Sequence, residues 1–105
     1  MTSLSTHVLD TAAGRPVAGL LVGLEGRTDQ SWSGVAVATT DDAGRISDFG
    51  QLLPGRYRLL FDVAGHFGSD SFFPEVIVSF QLDGEEHYHV PLLLSPFAYS
   101  TYRGS

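Results

Sequence analysis

The stretch HYHVPLLLSPFAYSTYRGS, residues 87–105, holds two strand-like runs, HYHVPLLLS and FAYSTYR, and carries the second almost to the terminal serine. Terminal segments are ordinarily small, polar and frayed. This one places Tyr99, Tyr102 and Arg103 just ahead of Gly104 and Ser105, so it is expected to lie against the rest of the fold. Residues two apart on a strand share a face, which sends His87 and His89 the same way. Pro91 has no N–H to give to a ladder and is expected on an edge strand or at a bulge.

Working outward, the same rhythm recurs upstream. In LSTHVL (4–9), Leu4, Thr6 and Val8 fall on one face and Ser5, His7 and Leu9 on the other. Further runs are VAGLLVGLEG (17–26), GVAVATT (34–40), RISDF (45–49) and RYRLLFDV (56–63). In FFPEVIVSFQL (72–82), Val76, Val78, Phe80 and Leu82 share a face. Turn chemistry separates the runs. DTAAGRP is a turn, DDAGR a tight connection in which Gly44 is free to take positive φ, and LLPG a turn in which Pro54 presets φ. DGEE (83–86) is expected as a hairpin turn. Only DVAGHFG (62–68) has room for a helical turn, and its two glycines keep that short. About eight short strands in this pattern predict an all-β, two-sheet antiparallel sandwich with at most one short helix. Such sheets leave edges that are often used up in oligomers.

Composition narrows the function classes. A chain of 105 residues is expected as one domain, 1–105, large enough for its own core. It has no cysteine, hence no disulfide or thiolate metal site. The formal net charge is -6, and the only cations besides histidine are six arginines. An acidic, lysine-free chain is a poor nucleic-acid binder. No stretch approaches the ~20 apolar residues of a membrane span. The start, MTSLSTHVLD, lacks a basic region followed by an apolar core, so the expected location is cytoplasmic.

His7, His66, His87 and His89 are the candidates for chemistry. The pair His87 and His89 would need a third ligand to hold a metal, and no tight ligand spacing supplies one, so no metal is expected. A G-x-S-x-G elbow and a phosphate-binding glycine loop are both missing. What remains is water activation by a base titrating near neutrality beside a fixed cation. Imidazole and guanidinium have those properties. Arg45, directly after the DDAG turn, has its backbone pinned at the start of a strand.

Two signatures then carry a family resemblance. HVLDTAAGRPV (7–17) resembles the N-terminal signature of the transthyretin family, and YHVPLLLSPFAYS (88–100) its C-terminal one. YRGS (102–105) resembles the tetrapeptide that separates the family's 5-hydroxyisourate hydrolases from its hormone carriers. SFFPEV and GRY stand in the expected order between them. The resemblance implies a transthyretin-like sandwich, assembled as a homotetramer (a dimer of dimers) with active sites in a channel at the dimer–dimer interface. It implies hydrolysis of 5-hydroxyisourate at a lactam carbonyl, without a cofactor. It assigns catalysis to His7, Arg45 and His89, and it folds Tyr102, Arg103, Gly104 and Ser105 into the site as substrate-binding residues. Which histidine is the base stays open. His87, outside the signature core, is expected as a strand-surface residue. The segment 62–70, richer in glycine than the family's helix, is expected to shorten it. Two rivals share the fold: a non-catalytic carrier, and a monomeric accessory sandwich of the kind attached to carboxypeptidases, which the middle of the chain also resembles.

Overall fold

The computed structural model describes residues 1–105. Its elements in chain order are β1 (Ser3–Asp10), β2 (Arg15–Pro16), β3 (Leu21–Thr28), β4 (Ser31–Thr39), β5 (Arg45–Ile46), β6 (Gly55–Phe61), α1 (Ala64–Phe67), β7 (Val76–Leu82), β8 (His87–Leu94) and β9 (Tyr99–Thr101). One sheet runs β2-β1-β8-β9, with β5 paired to β1, and the other runs β4-β3-β6-β7. This is the expected two-sheet sandwich, and the helix is a single turn. Its pairings are antiparallel except β1 with β8, which is parallel.

The alternation seen in the sequence sorts the faces. Leu4, Val8, Leu92 and Leu94 point inward from the first sheet and meet Val22, Leu24, Leu59, Phe61, Val76 and Leu82 from the second, all of them buried. Burying each such side chain is worth about 1.5–3 kcal/mol relative to exposure. Thr6 also points inward, and its Oγ donates to the Val90 carbonyl at 2.6 Å, which satisfies the hydroxyl and ties β1 to β8.

Three local expectations change. DGEE is not a hairpin turn: it carries the chain from β7 in one sheet to β8 in the other. The run RISDF keeps only Arg45–Ile46 in a sheet. Pro91 sits neither on an edge strand nor at a bulge, since β8 lies between β1 and β9. The Leu94 carbonyl of β8 accepts from Thr11 on the β1 side, whereas the His89 carbonyl accepts from Gly104 on the tail side. By that alternation Pro91 turns its missing donor toward the tail. There the ladder is open between the Leu92–Thr101 and His89–Gly104 pairs, and Thr101 Oγ donates to the Pro91 carbonyl at 2.8 Å.

Candidate active site

The parallel pairing of β1 and β8 builds the site. Its register sets Ser3 beside His87, Ser5 beside His89 and His7 beside Pro91. All of these belong to the outward-facing set of the sheet, opposite the buried Leu4, Val8, Tyr88 and Leu92. On the other side of β1, Arg45 pairs with His7. Val8 N–H donates to the Gly44 carbonyl at 2.8 Å, so His7 and Arg45 form a pair without mutual backbone bonds, the kind in which side chains approach closest.

The turn before Arg45 is built for that placement. Asp41 Oδ1 accepts from the N–H groups of Ala43 and Arg45, both at 2.9 Å. Gly44 takes φ 76°, as its place in DDAGR predicts, and a Cβ there would lie 2.5 Å from the Val8 carbonyl oxygen. The chain passes too close to β1 for any side chain. No carboxylate pairs with Arg45: the chain's ion pairs are Arg58–Glu25 and His66–Asp10. Its guanidinium is an uncompensated cation beside two imidazoles.

His7 is fixed by its ring. Its Nε2 lies 2.9 Å from the Ala43 carbonyl, which can only accept, so Nε2 carries the proton and Nδ1 is left with the lone pair. His89 is held from both sides. Its Nδ1 lies 2.7 Å from Ser5 Oγ, its carbonyl accepts from Gly104 N–H at 2.7 Å, and its Nε2 has no partner within the chain. Partial burial of His89, and the nearby charges of Arg45, His7 and His87, push its pKa below 6.5, against a smaller upward pull from Ser5. The imidazole is therefore neutral at pH 7, as a base must be.

The tail is docked as expected, though its side chains divide. Gly104 lies against the His89 ring, where a Cβ would come within 2.6 Å of Cδ2. Tyr102 is exposed, and Ser105 borders a polar depression with Glu85, Glu86 and His87. Arg103 touches that depression too, but its guanidinium stacks over Tyr88, 4.7 Å from the ring centre. Tyr88 faces inward, so the Arg103 charge is drawn away from the histidine face.

Two neighbours of the site, Ser3 and Ser5, were not singled out from sequence. His87 is an exposed strand residue, as expected, and its Nδ1 lies 2.6 Å from Ser3 Oγ and its Nε2 2.9 Å from Ser5 Oγ. Ser3 and Ser5 thereby join the histidine face. His66 lies elsewhere, at α1, where it bonds the buried Asp10 carboxylate at 2.8 Å. No group of three histidine or carboxylate side chains converges at metal-ligating distance, and no helix is long and apolar enough to cross a membrane.

The sequence profile of the HIUase/Transthyretin family matches residues 4–104. The chain belongs to that family. Within the HIUase/transthyretin family it is 45% identical to the 5-hydroxyisourate hydrolase of Salmonella typhimurium, over 97% of this chain and 80% of that protein. The structure of Klebsiella pneumoniae 5-hydroxyisourate hydrolase superimposes with a TM-score of 0.87 at 36% identity, covering 100% of both chains. Sea bream transthyretin in complex with thyroxine superimposes with a TM-score of 0.89 at 31% identity, covering 96% of this chain and 93% of that one. Fold alone thus separates the family's members poorly. The residues on the outer face of the β1–β8 sheet have to do it.

Proposed function

We propose that the chain hydrolyses 5-hydroxyisourate in urate degradation. Water adds across a lactam C–N bond of the six-membered ring: its hydroxyl goes to the carbonyl carbon and its proton to the nitrogen, giving 2-oxo-4-hydroxy-4-carboxy-5-ureidoimidazoline. The observation that carries this reading is the unpaired Arg45 guanidinium beside His7 and a neutral His89. His89 is the base, because its Nε2 is free and its proton is held weakly. Arg45 offsets the anionic substrate and the charge that develops on the attacked carbonyl, an interaction that strengthens in the transition state. His7, with Nδ1 toward the substrate, orients the ring; it takes a proton from solvent at Nδ1 and gives it to the leaving nitrogen, one proton entering from solvent for each one His89 takes from the attacking water. Gly104 packs the tail against His89, Tyr102 and Ser105 form the pocket wall, and Arg103 acts through its place in the tail. No step calls for a metal or cofactor.

The reading takes residues 1–105 as one catalytic domain and the working form as a homotetramer. The edge strands β7 and β9 are unpaired on their outer sides. A cavity of about 260 Å³ opens where these edges adjoin, lined by Val78, Phe80, Tyr88, Val90, Thr101 and Tyr102 among others. Phe72, Phe97 and Tyr102 are more than half exposed. Edge pairing with a second copy would extend both sheets, and two such dimers facing each other would set the histidine face along a water-filled channel between them.

Freshly generated 5-hydroxyisourate, followed by ultraviolet absorbance with spontaneous hydrolysis subtracted, tests the reading. Turnover by the intact protein and its loss on deleting residues 102–105 are expected. Decay no faster than the blank, together with tight thyroxine binding, would favour a carrier. A sizing column gives the assembly: near four times 11.3 kDa for the enzyme, near one for an accessory module.

A further inference from the structure

Ser5 Oγ has one proton and lies within hydrogen-bond reach of two imidazole nitrogens, His87 Nε2 at 2.9 Å and His89 Nδ1 at 2.7 Å. Ser3 Oγ lies 2.6 Å from His87 Nδ1 and donates to the Glu86 carbonyl in a longer bond of 3.3 Å. The four side chains form an unbroken line from His89, at the site, to the exposed His87 and the half-buried Ser3. With neutral rings, the line has only two proton arrangements, because each hydroxyl can donate once.

In one arrangement every proton points away from the site. His89 Nδ1–H donates to Ser5, Ser5 to His87 Nε2, His87 Nδ1–H to Ser3, and Ser3 to the Glu86 carbonyl. That leaves His89 Nε2 with its lone pair, the form a base requires. In the other every proton points back: Ser3 donates to His87 Nδ1, His87 Nε2–H to Ser5, and Ser5 to His89 Nδ1. His89 then bears its proton on Nε2. The Glu86 carbonyl accepts from the Ser3 backbone N–H at 2.9 Å in both arrangements, and the Ser3 hydroxyl adds its longer second bond in the first arrangement alone.

We propose that Ser5 and His87 are relay residues that set the tautomer of His89 and carry its proton between the site and solvent; this rests on the hydrolase reading of the same site. When His89 Nε2 takes a proton from water, its Nδ1 proton passes to Ser5 and the Ser5 proton to His87 Nε2. His89 ends neutral with Nε2–H, and His87 ends as the imidazolium at the exposed end of the line, where it discharges to water. No proton is created or lost. Separating the charge from His89 is favourable, because Arg45 from β5 and His7 from β1 both face that ring. His87 is the remaining titratable neighbour on β8, and the tail presents only Gly104 to the ring, with Arg103 held on Tyr88. Neither serine nor His87 touches the substrate in this account.

The tests are Ser5→Ala, Ser5→Thr and His87→Gln in the full chain. Ser5→Ala and His87→Gln are expected to lower kcat by at least ~10-fold, within the ~10⁴ that a wrongly tautomerised histidine base costs elsewhere, with KM unchanged. Ser5→Thr, which keeps a hydroxyl, restores most of the rate. In mixtures of light and heavy water, kcat of the wild type should curve with deuterium content, because several protons move together, and should become linear in the two relay-breaking variants. Nitrogen-15 shifts of His89 read the tautomer without substrate: proton on Nδ1 in the wild type, shifted toward Nε2 in Ser5→Ala. Wild-type kcat and a single tautomer in all variants would overturn the relay. Absence of turnover in the wild type would sink the hydrolase reading instead, and the nitrogen shifts would still judge the hydrogen-bonded line.

Discussion

Replacing Gly104 by alanine should damage the reaction while leaving the fold standing. The added Cβ would lie 2.6 Å from His89 Cδ2 and 3.2 Å from both Cγ and the His89 carbonyl oxygen. Ordinary van der Waals contact begins at 3.4 Å, so the nearest pair must open by 0.8 Å. The tail can lift, at the cost of the 2.7 Å bond from Gly104 N–H to the His89 carbonyl. Alternatively the ring can swing, at the cost of its 2.7 Å contact with Ser5. Either bond is worth about 0.5–1.5 kcal/mol net, so stability falls modestly and Tm by about 2–12 °C. The base, however, has moved. A displacement near 1 Å costs on the order of 10²-fold in rate, or ~2.7 kcal/mol of transition-state stabilisation. The assay is kcat and KM for 5-hydroxyisourate beside a melting curve, with Gly34→Ala as control, since a Cβ at Gly34 meets nothing within 4 Å. A Gly104→Ala protein with wild-type kcat and an undisturbed His89 would refute the claim that the tail positions the base.

Three further outcomes follow from the same geometry. Gly44→Ala must hold a side chain at φ 76° against the Val8 carbonyl, so it should lose at least ~1–3 kcal/mol of stability in denaturant melts and lose activity by displacing Arg45. Burial pushes the Asp10 carboxyl up, but bonds from His66 and Ala13 and the His66 charge outweigh it and hold its pKa below 3.8. Its contribution to stability is therefore complete above pH 3.8 and disappears as pH falls through the lower folded value; acid titration of Asp10→Asn should lack that component. Because the folded pKa of His89 lies below 6.5, kcat/KM should hold down to a pH below 6.5 and then fall as the base protonates, and Arg45→Ala, which removes a repelling charge, should move that fall to higher pH.

Much of the sandwich was legible because its alternation is strict. Leu4, Thr6 and Val8 of β1, and Val76 and Leu82 of β7, are buried on the faces their spacing gives them. Strand partners were not legible, since alternation is the same for parallel and antiparallel neighbours. That is why DGEE passed for a hairpin and Pro91 for an edge residue. It is also why the partners of His87 could not be read: the period of SLSTH and of HYH was visible, but only the parallel register of β1 and β8 sets Ser3 and Ser5 beside the two histidines. His7, Arg45 and His89 were reached through local motifs and family resemblance, and the fold brings them to one face. Arg103 shows the limit of such motifs. Its place in the tail was expected, yet its charge is taken up by Tyr88, a core-facing ring whose proximity no spacing in the chain announces.

The most direct measurement is kcat/KM for 5-hydroxyisourate in His7→Ala, Arg45→Ala, His89→Ala and the triple variant, each checked for folding. Removing a donor that stabilises a developing oxyanion costs ~10²–10³-fold, and groups that act as a unit are far from additive. The expected result is a loss of at least ~10²-fold in each single variant, with the triple variant about as slow as the slowest single. A folded Arg45→Ala protein that turns over substrate near the wild-type rate would contradict the account.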